Sequence, residues 1–273
     1  MATVLRPTRG WVGIDVEELF RYRDLLLALA NRDVKLRYKQ TLLGIVWVVM
    51  QPLMAAGLLY FAFRVVARVE APQGRSFFLF SFAGLLAWNL FSATLSKTSL
   101  SMVGNSYLVS KVYFPRLILP LSSAISTLLD FAVAFGVLLI LFGVYGADIT
   151  PALLLLPVWI VLLMCLAMGT GLIAAALTVH YRDVQYVLPI IVPFLLYASP
   201  VAYDVSQIAP QYRAAFYFLN PLAPLIAGFR WSVLGTALPE TRFLVWSFLV
   251  TMGFFMLGAA VFRRNERKLA DVI

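Results

Sequence analysis

The sequence predicts an all-α membrane protein: six transmembrane helices, an amphipathic interface helix before them, a short helix in an inner loop and a re-entrant helical hairpin at the outer face. Three observations carry that expectation. Hydrophobic residues make up 62% of the chain and charged ones 13%, with a mean hydropathy of +0.88, more apolar surface than a water-soluble domain can hide. The apolar residues come in unbroken runs near bilayer length rather than in amphipathic stripes. Lys and Arg are also distributed unevenly between the connecting segments.

The runs predict spans over Leu43 to Phe63, Phe77 to Ser96, Leu117 to Tyr145, Ala152 to Val179, Val187 to Tyr203 and Phe243 to Phe262. Each is near or above the roughly 20 residues a crossing helix needs, except the fifth. The third is long enough to tilt or project. No alternating pattern supports a β-barrel. Of the 22 Lys and Arg, six (Arg64, Arg68, Arg75, Arg213, Arg230 and Arg242) fall on one set of connecting segments, and the other sixteen on the set that includes both termini. That asymmetry predicts both termini in the cytoplasm. The net charge of +9 then reflects basic residues beside anionic lipid, without a nucleic-acid partner. The organisation expected is a cytoplasmic segment 1–42, a membrane domain 43–262 and a basic tail 263–273. Residues 1–42 lack the apolar core and small-residue site of a cleaved signal peptide, so the N-terminus is expected to be retained.

Four pieces fall outside simple spans. Asp15 to Gln40 places Val16, Leu19, Phe20, Leu26, Leu29 and Ala30 at helical spacing among Arg21, Arg23, Arg32, Lys35, Arg37 and Lys39, with Asp15 and Glu18 as a cap. This suits a helix lying in the interface, as an anchor or as a docking surface. In the second inner loop, Lys97 to Arg116, the stretch "NSYLVSKVYFPR" reads as a short helix ended by Pro115. Tyr113 and Phe114 beside Lys111 and Arg116 would present aromatic and cationic groups there, either as an interfacial belt or as a protein contact. The fifth span carries Pro189, Pro193 and Pro200. It is expected to be broken toward its outer end, as a kinked packing helix or along a conduit. The segment Asp204 to Arg242 holds two short apolar stretches separated by Asn220 and Pro221, the second closing near Gly235, which predicts the hairpin.

Few residues suit chemistry. Cys165 and His180 are the only cysteine and histidine, which argues against disulfides and most metal sites. No cofactor is expected in the chain. Neither G-x-x-x-x-G-K-[ST] nor G-x-S-x-G occurs, so an ATP site of the phosphate-loop kind and a nucleophile elbow are both absent. Asp130 is the one acidic residue well inside an apolar run, and it has no second acid for a proton relay. It is expected to serve a helix contact or line a pore, with Asp130→Asn retaining transport. Ala167, Gly171 and Ala175 recur every four residues and predict close helix packing.

Five stretches, "RDVKLRYKQTLLGIVWVVMQPL", "LVSKVYFPRLILPLS", "YRDVQYVLPIIVPFLLYASPVAY", "LNPLAPLIAGFRWSVLG" and "FRRNERKLADVI", resemble in order and spacing the permease subunit of the ABC exporters for bacterial polysaccharides. The O-antigen branch is the most similar, with capsule and teichoic-acid exporters related. The resemblance implies an inner-membrane homodimer of six-helix subunits, bound to two copies of a separate cytoplasmic ABC ATPase that carries ATP and Mg. Together these would move a lipid-linked polysaccharide outward. It implies that Arg32, Asp33, Lys35, Arg37 and Tyr38 flank the ATPase and the lipid head group. Lys111, Tyr113, Phe114, Pro115 and Arg116 would form the coupling helix, with Arg182 and Asp183 as a second contact. Asn220, Pro221, Phe229, Arg230, Trp231 and Gly235 would form a periplasmic gate. Trp47, Tyr60, Phe82, Trp88, Phe91, Phe194, Tyr197 and Tyr203 become candidates to line the sugar path. A drug or lipid exporter of the same ABC kind, a gradient-driven carrier and a membrane glycan enzyme are the competing readings. The last two call for more intramembrane charge, paired repeats or clustered carboxylates.

Overall fold

A computed structural model describes residues 16–38, 46–68, 76–146, 150–181 and 183–272, and of residues 16, 37–38, 180 and 266–272 the backbone alone. No strand occurs among the described residues. Five helical stretches are long and apolar enough to cross a membrane: Val46–Val66, Phe77–Leu100, Ile118–Tyr145, Pro151–Val179 and Thr241–Asn265.

The N-terminal segment forms α1 (Val16–Arg21) and α2 (Arg23–Tyr38). Leu29 is buried, and Leu19, Tyr22, Leu25 and Leu26 pack beside it. Phe20, assigned to the apolar face from spacing, is exposed instead. The i to i−4 bonds continue through Tyr22, whose N–H reaches the Glu18 carbonyl at 3.2 Å and whose carbonyl accepts from Leu26 at 3.0 Å, so Leu19, Tyr22, Leu26 and Leu29 share one face and Phe20 lies off it. The expected cap at Asp15 lies outside the described residues.

The first span is α3 (Val46–Leu59), with Pro52 inside it, continued by a π-helix over Tyr60–Val66. The wider turn keeps the chain helical to the end of the span. The second, α4 (Phe77–Leu100), is about 36 Å long at 1.5 Å per residue. It is the central helix: every residue from Leu79 to Trp88 is buried. After α5 (Ser106–Lys111), α6 (Ile118–Tyr145) forms the third span. It closes on Gly146, whose left-handed backbone (φ 61°) returns an N–H to the Phe142 carbonyl. The fourth is a 3₁₀ turn over Pro151–Leu155 leading into α7 (Leu156–His180).

α7 packs on α4 along the small-residue stripe. Ala167 and Ala175 are fully buried, and a Cβ at Gly171 would stand 2.8 Å from the Thr98 side chain. The last helix, α11 (Thr241–Val272), packs on the other side of α7. At Gly169 a Cβ would meet the Phe254 carbonyl carbon at 2.6 Å, and Gly258 opposes Gly169 backbone to backbone. Two glycines allow an approach that larger residues forbid. α11 runs unbroken through the boundary drawn at residue 263, because nothing between Phe262 and Val272 is a glycine or proline.

The fifth apolar run is shorter as a helix than as a sequence. α8 (Val184–Ala198) tolerates Pro189 and Pro193 but ends before Pro200, and Ser199–Tyr203 turn without helix. At 15 residues it is about 22 Å long, short of the hydrocarbon thickness, so the expected six crossings are five by helix length among the described residues. The segment expected to form the hairpin holds two short helices, α9 (Pro210–Leu219) and α10 (Leu222–Leu234), joined at Asn220–Pro221, the second closing on a left-handed Gly235 (φ 64°).

Candidate functional site

The named residues fall into three places along α4. One end carries α2 and α5. Arg32 pairs with Asp33 at 2.9 Å and donates to the Asn105 Oδ1 at 2.6 Å, while the Asn105 amide donates to the Ser101 carbonyl at 2.9 Å. This ties α2 to the loop between α4 and α5. Lys35 is exposed; the side chains of Arg37 and Tyr38 and all of Arg182 lie outside the described residues. Asp183 is exposed just before α8.

The helix ascribed to the loop is shorter than expected. It ends at Lys111, and Val112 to Pro115 follow without helix. Tyr113 is 68% exposed and Lys111 lies over the Tyr107 ring at 4.2 Å, so the surface is aromatic and cationic. Phe114 corrects the expectation. It is buried with Leu29, Val109, Leu117 and Phe262 in a cluster joining α2, α5, α6 and α11. The extended backbone after Lys111 sends neighbouring side chains to opposite sides, Tyr113 outward and Phe114 inward. Pro115 and Arg116 are half-buried.

At the opposite end the hairpin is fastened to α8 and α4. The Asn220 amide donates to the Ala198 carbonyl at 2.9 Å and the Ser199 Oγ at 3.1 Å, and its Oδ1 accepts the Leu222 N–H at 3.1 Å. The Pro221 carbonyl accepts from the Ser247 hydroxyl at 2.5 Å, which adds α11. Arg230 is buried on α10. Its guanidinium donates to the carbonyls of Phe80 (3.2 Å), Pro200 (2.6 Å) and Val201 and lies 3.7 Å from the Phe80 ring centroid. It fits there because Gly84 has no side chain: a Cβ would stand 2.8 Å from the Arg230 Cζ. Carbonyls freed where α8 unwinds at Pro200 are therefore satisfied by a cation. Phe229 is fully buried and packs edge-on against Phe131 at 6.0 Å, and Trp231 is half-buried. On α9, burial and then the Asp204 carboxylate push the Tyr217 phenol up to about 12, so it stays neutral.

Between these ends lies a cavity of about 590 Å³ walled by α3, α4 and α6, with Val192 of α8 at its edge. Trp47 and Gln51 reach it from α3, Asn89, Ser92 and Ser96 from α4, and Thr127 and Asp130 from α6. Asp130 is not isolated. Lys97 donates to its Oδ2 at 3.1 Å and to the Ser126 Oγ at 3.1 Å. Hydropathy alone left Lys97 in the inner loop, yet α4 continues to Leu100 and carries it. Asp130→Asn removes the carboxylate from that ammonium and is expected to destabilise the bundle by about 2 kcal/mol, less than a fully buried pair. Lys97→Met with Asp130→Leu should recover most of the loss in a thermal-unfolding assay in detergent.

The aromatics divide by helix. Trp47 and Tyr60 on the first span and Phe194 and Tyr197 on α8 are exposed, and Tyr203 is half-buried. Phe82, Trp88 and Phe91 are buried inside the bundle, against the expectation that they line a path, because α4 is enclosed by α3, α6, α7 and α10. Gln51, Asn89, Gly84 and Asn105 carry no role in the sequence analysis, and Lys97 only a place in the inner loop. The signal available for Gln51 and Asn89 was an amide within an apolar run.

Similar proteins place this arrangement in a family. Residues 24–234 match the ABC-2 type transporter family. An O-antigen export system permease protein of Myxococcus xanthus is 28% identical over 259 residues, covering 94% of this chain and 98% of that protein. Its counterpart in Klebsiella pneumoniae is 28% identical over 255 residues, covering 92% and 95%. The polysialic acid transport protein of Escherichia coli is 26% identical over 254 residues, covering 89% and 93%. With 24–234 matched and five membrane-length helices present, the chain belongs to the ABC-2 type transporter membrane family.

Proposed function

We propose that this chain is the membrane subunit of an ATP-driven exporter that moves a lipid-linked, O-antigen-like polysaccharide from cytoplasm to periplasm across a bacterial inner membrane. The observation that carries this is its similarity, over 92–94% of its length, to proteins named as O-antigen export permeases. In this reading α8, although short, is a sixth crossing whose unwound end meets the re-entrant α9–α10 hairpin on the periplasmic side. Both termini are cytoplasmic, as the Lys and Arg asymmetry supports. Two copies of the chain enclose the path, and two copies of a partner ATPase supply ATP and Mg.

The ATPase docks on the exposed surface of Tyr107, Lys111 and Tyr113. Its closure moves the loop that Asn105 ties to α2, and α4 carries that motion along the bundle toward the hairpin held by Arg230. Such coupling requires contacts that differ between the two states. Cells lacking the chain should accumulate the lipid-linked glycan inside, and surface glycan measured by immunoblot should return with a plasmid copy. Lys111→Ala with Tyr113→Ala should reduce export at least tenfold, with protein level unchanged because both side chains are exposed. Wild-type export from that variant would remove the docking assignment.

A further inference from the structure

The cavity between α3, α4 and α6 has a chemistry that the exposed aromatics alone do not supply. Gln51 and Asn89 are exposed on membrane-length helices, and neither side-chain amide is hydrogen-bonded within the described residues. Ser92, Ser96, Thr127 and Asp130 share the cavity, and Trp47 stands at its wall, 47% exposed. Polar side chains at membrane depth are costly unless they face protein or a polar occupant. An acyl chain there would leave two amides facing hydrocarbon. The volume, about 590 Å³, lies within the range of small-molecule sites, roughly 300–1,000 Å³.

We infer that this cavity is a subsite for a sugar unit of the transported glycan, formed within one subunit. The inference rests on the function proposed above. The two amides each offer donors and an acceptor, the Ser96 hydroxyl does both, the Ser92 and Thr127 hydroxyls already donate to the Asn89 and Ser123 carbonyls and so only accept, and the carboxylate accepts. That mixture matches the hydroxyls of a pyranose, whereas a purely anionic ligand would meet Asp130 and an apolar one would strand the amides. Trp47 provides a face on which the CH side of the ring can stack. Asp130 is a positioned acceptor: Lys97, anchored also on the Ser126 hydroxyl, fixes the carboxylate at the wall. The site would select for hydroxyl pattern through Gln51, Asn89 and Asp130.

The test uses the assembled complex in cells, with an ATPase variant that binds but does not hydrolyse ATP, in a strain making the glycan and in one whose glycan synthesis is disabled. In a Cys165→Ser background, Asn89→Cys and Gln51→Cys are labelled with N-ethylmaleimide. Ile140→Cys, on an exposed outer-facing stretch of α6 away from the cavity, serves as the reference. Labelling at positions 51 and 89 should slow at least fivefold when glycan is present, with position 140 unchanged. Equal rates in the two strains, meaning a cavity holding only water or lipid, would overturn the inference, as would no labelling of 51 and 89 in either. As a second measurement, Gln51→Leu with Asn89→Leu should cut export about tenfold with complex assembly intact; wild-type export would overturn it. If the double variant does not assemble, the labelling result decides. Deletion of the chain separates the two ideas. Export that survives deletion defeats the functional reading, whereas export that requires the chain but shows no glycan-dependent protection defeats the subsite alone.

Discussion

Replacing Arg230 with leucine is expected to unfasten the hairpin and lower the yield of folded protein more than tenfold. Three backbone carbonyls, those of Phe80, Pro200 and Val201, share this one guanidinium. Hydrogen bonds from a charged donor contribute about 1.5–3 kcal/mol each, and the acceptors left behind have no water to turn to. Offset by the desolvation of the cation itself, the net loss should be about 3–5 kcal/mol. Lysine is no substitute, since a single ammonium cannot span three acceptors that a planar fork reaches together. A second route to the same defect is Gly84→Val, whose side chain would occupy the space of the guanidinium. Size-exclusion yield in detergent and protease access to the 204–221 segment would measure both. Normal yield and protection in Arg230→Leu would show that the three carbonyls find other donors.

Larger still should be the effect of Gly258→Leu. The neighbouring atoms are main-chain atoms of Gly169, which cannot swing aside as a side-chain tip would. Overpacking into movable side chains costs about 1–3 kcal/mol; against backbone, α7 and α11 must separate along their contact. Little monodisperse protein is expected from Gly258→Leu or Gly169→Leu. Gly253→Leu on the same helix is the control, because a side chain there meets nothing within 4 Å, and it should accumulate like the parent. Equal yields for all three would mean that the helices cross without relying on those two positions.

How much of this was readable beforehand follows from what each signal measures. Five of the six predicted spans were legible because hydropathy reports transfer to lipid. The hairpin was legible because Asn220, Pro221 and Gly235 are local backbone signals that act within a few residues. The prolines located the point at which α8 stops. The pairing of Lys97 with Asp130 was hidden for the opposite reason. The two lie 33 residues apart, and an ammonium near the end of an apolar run reads as loop until α4 is known to extend past it. Phe114 was misread because composition says that an aromatic is present, not which way an extended chain turns it. Phe82, Trp88 and Phe91 look like any span aromatics in sequence; only the placement of α4 at the centre withdraws them from lipid and from a path alike. Gly84 and Arg230 mean little apart and become informative only when the fold sets one against the other.

The staple at Arg230 also has a history in time. Its first acceptor, the Phe80 carbonyl, precedes it by 150 residues. At cellular synthesis rates of about 5–20 residues per second, some 8–30 s separate the two as the chain emerges. For that interval α4 must sit among lipids without α7 or α10 around it. The bundle is therefore sealed from the late end of synthesis, and a nascent chain halted before residue 230 should retain an open, protease-accessible Ser199–Tyr203 turn however well its earlier helices are inserted.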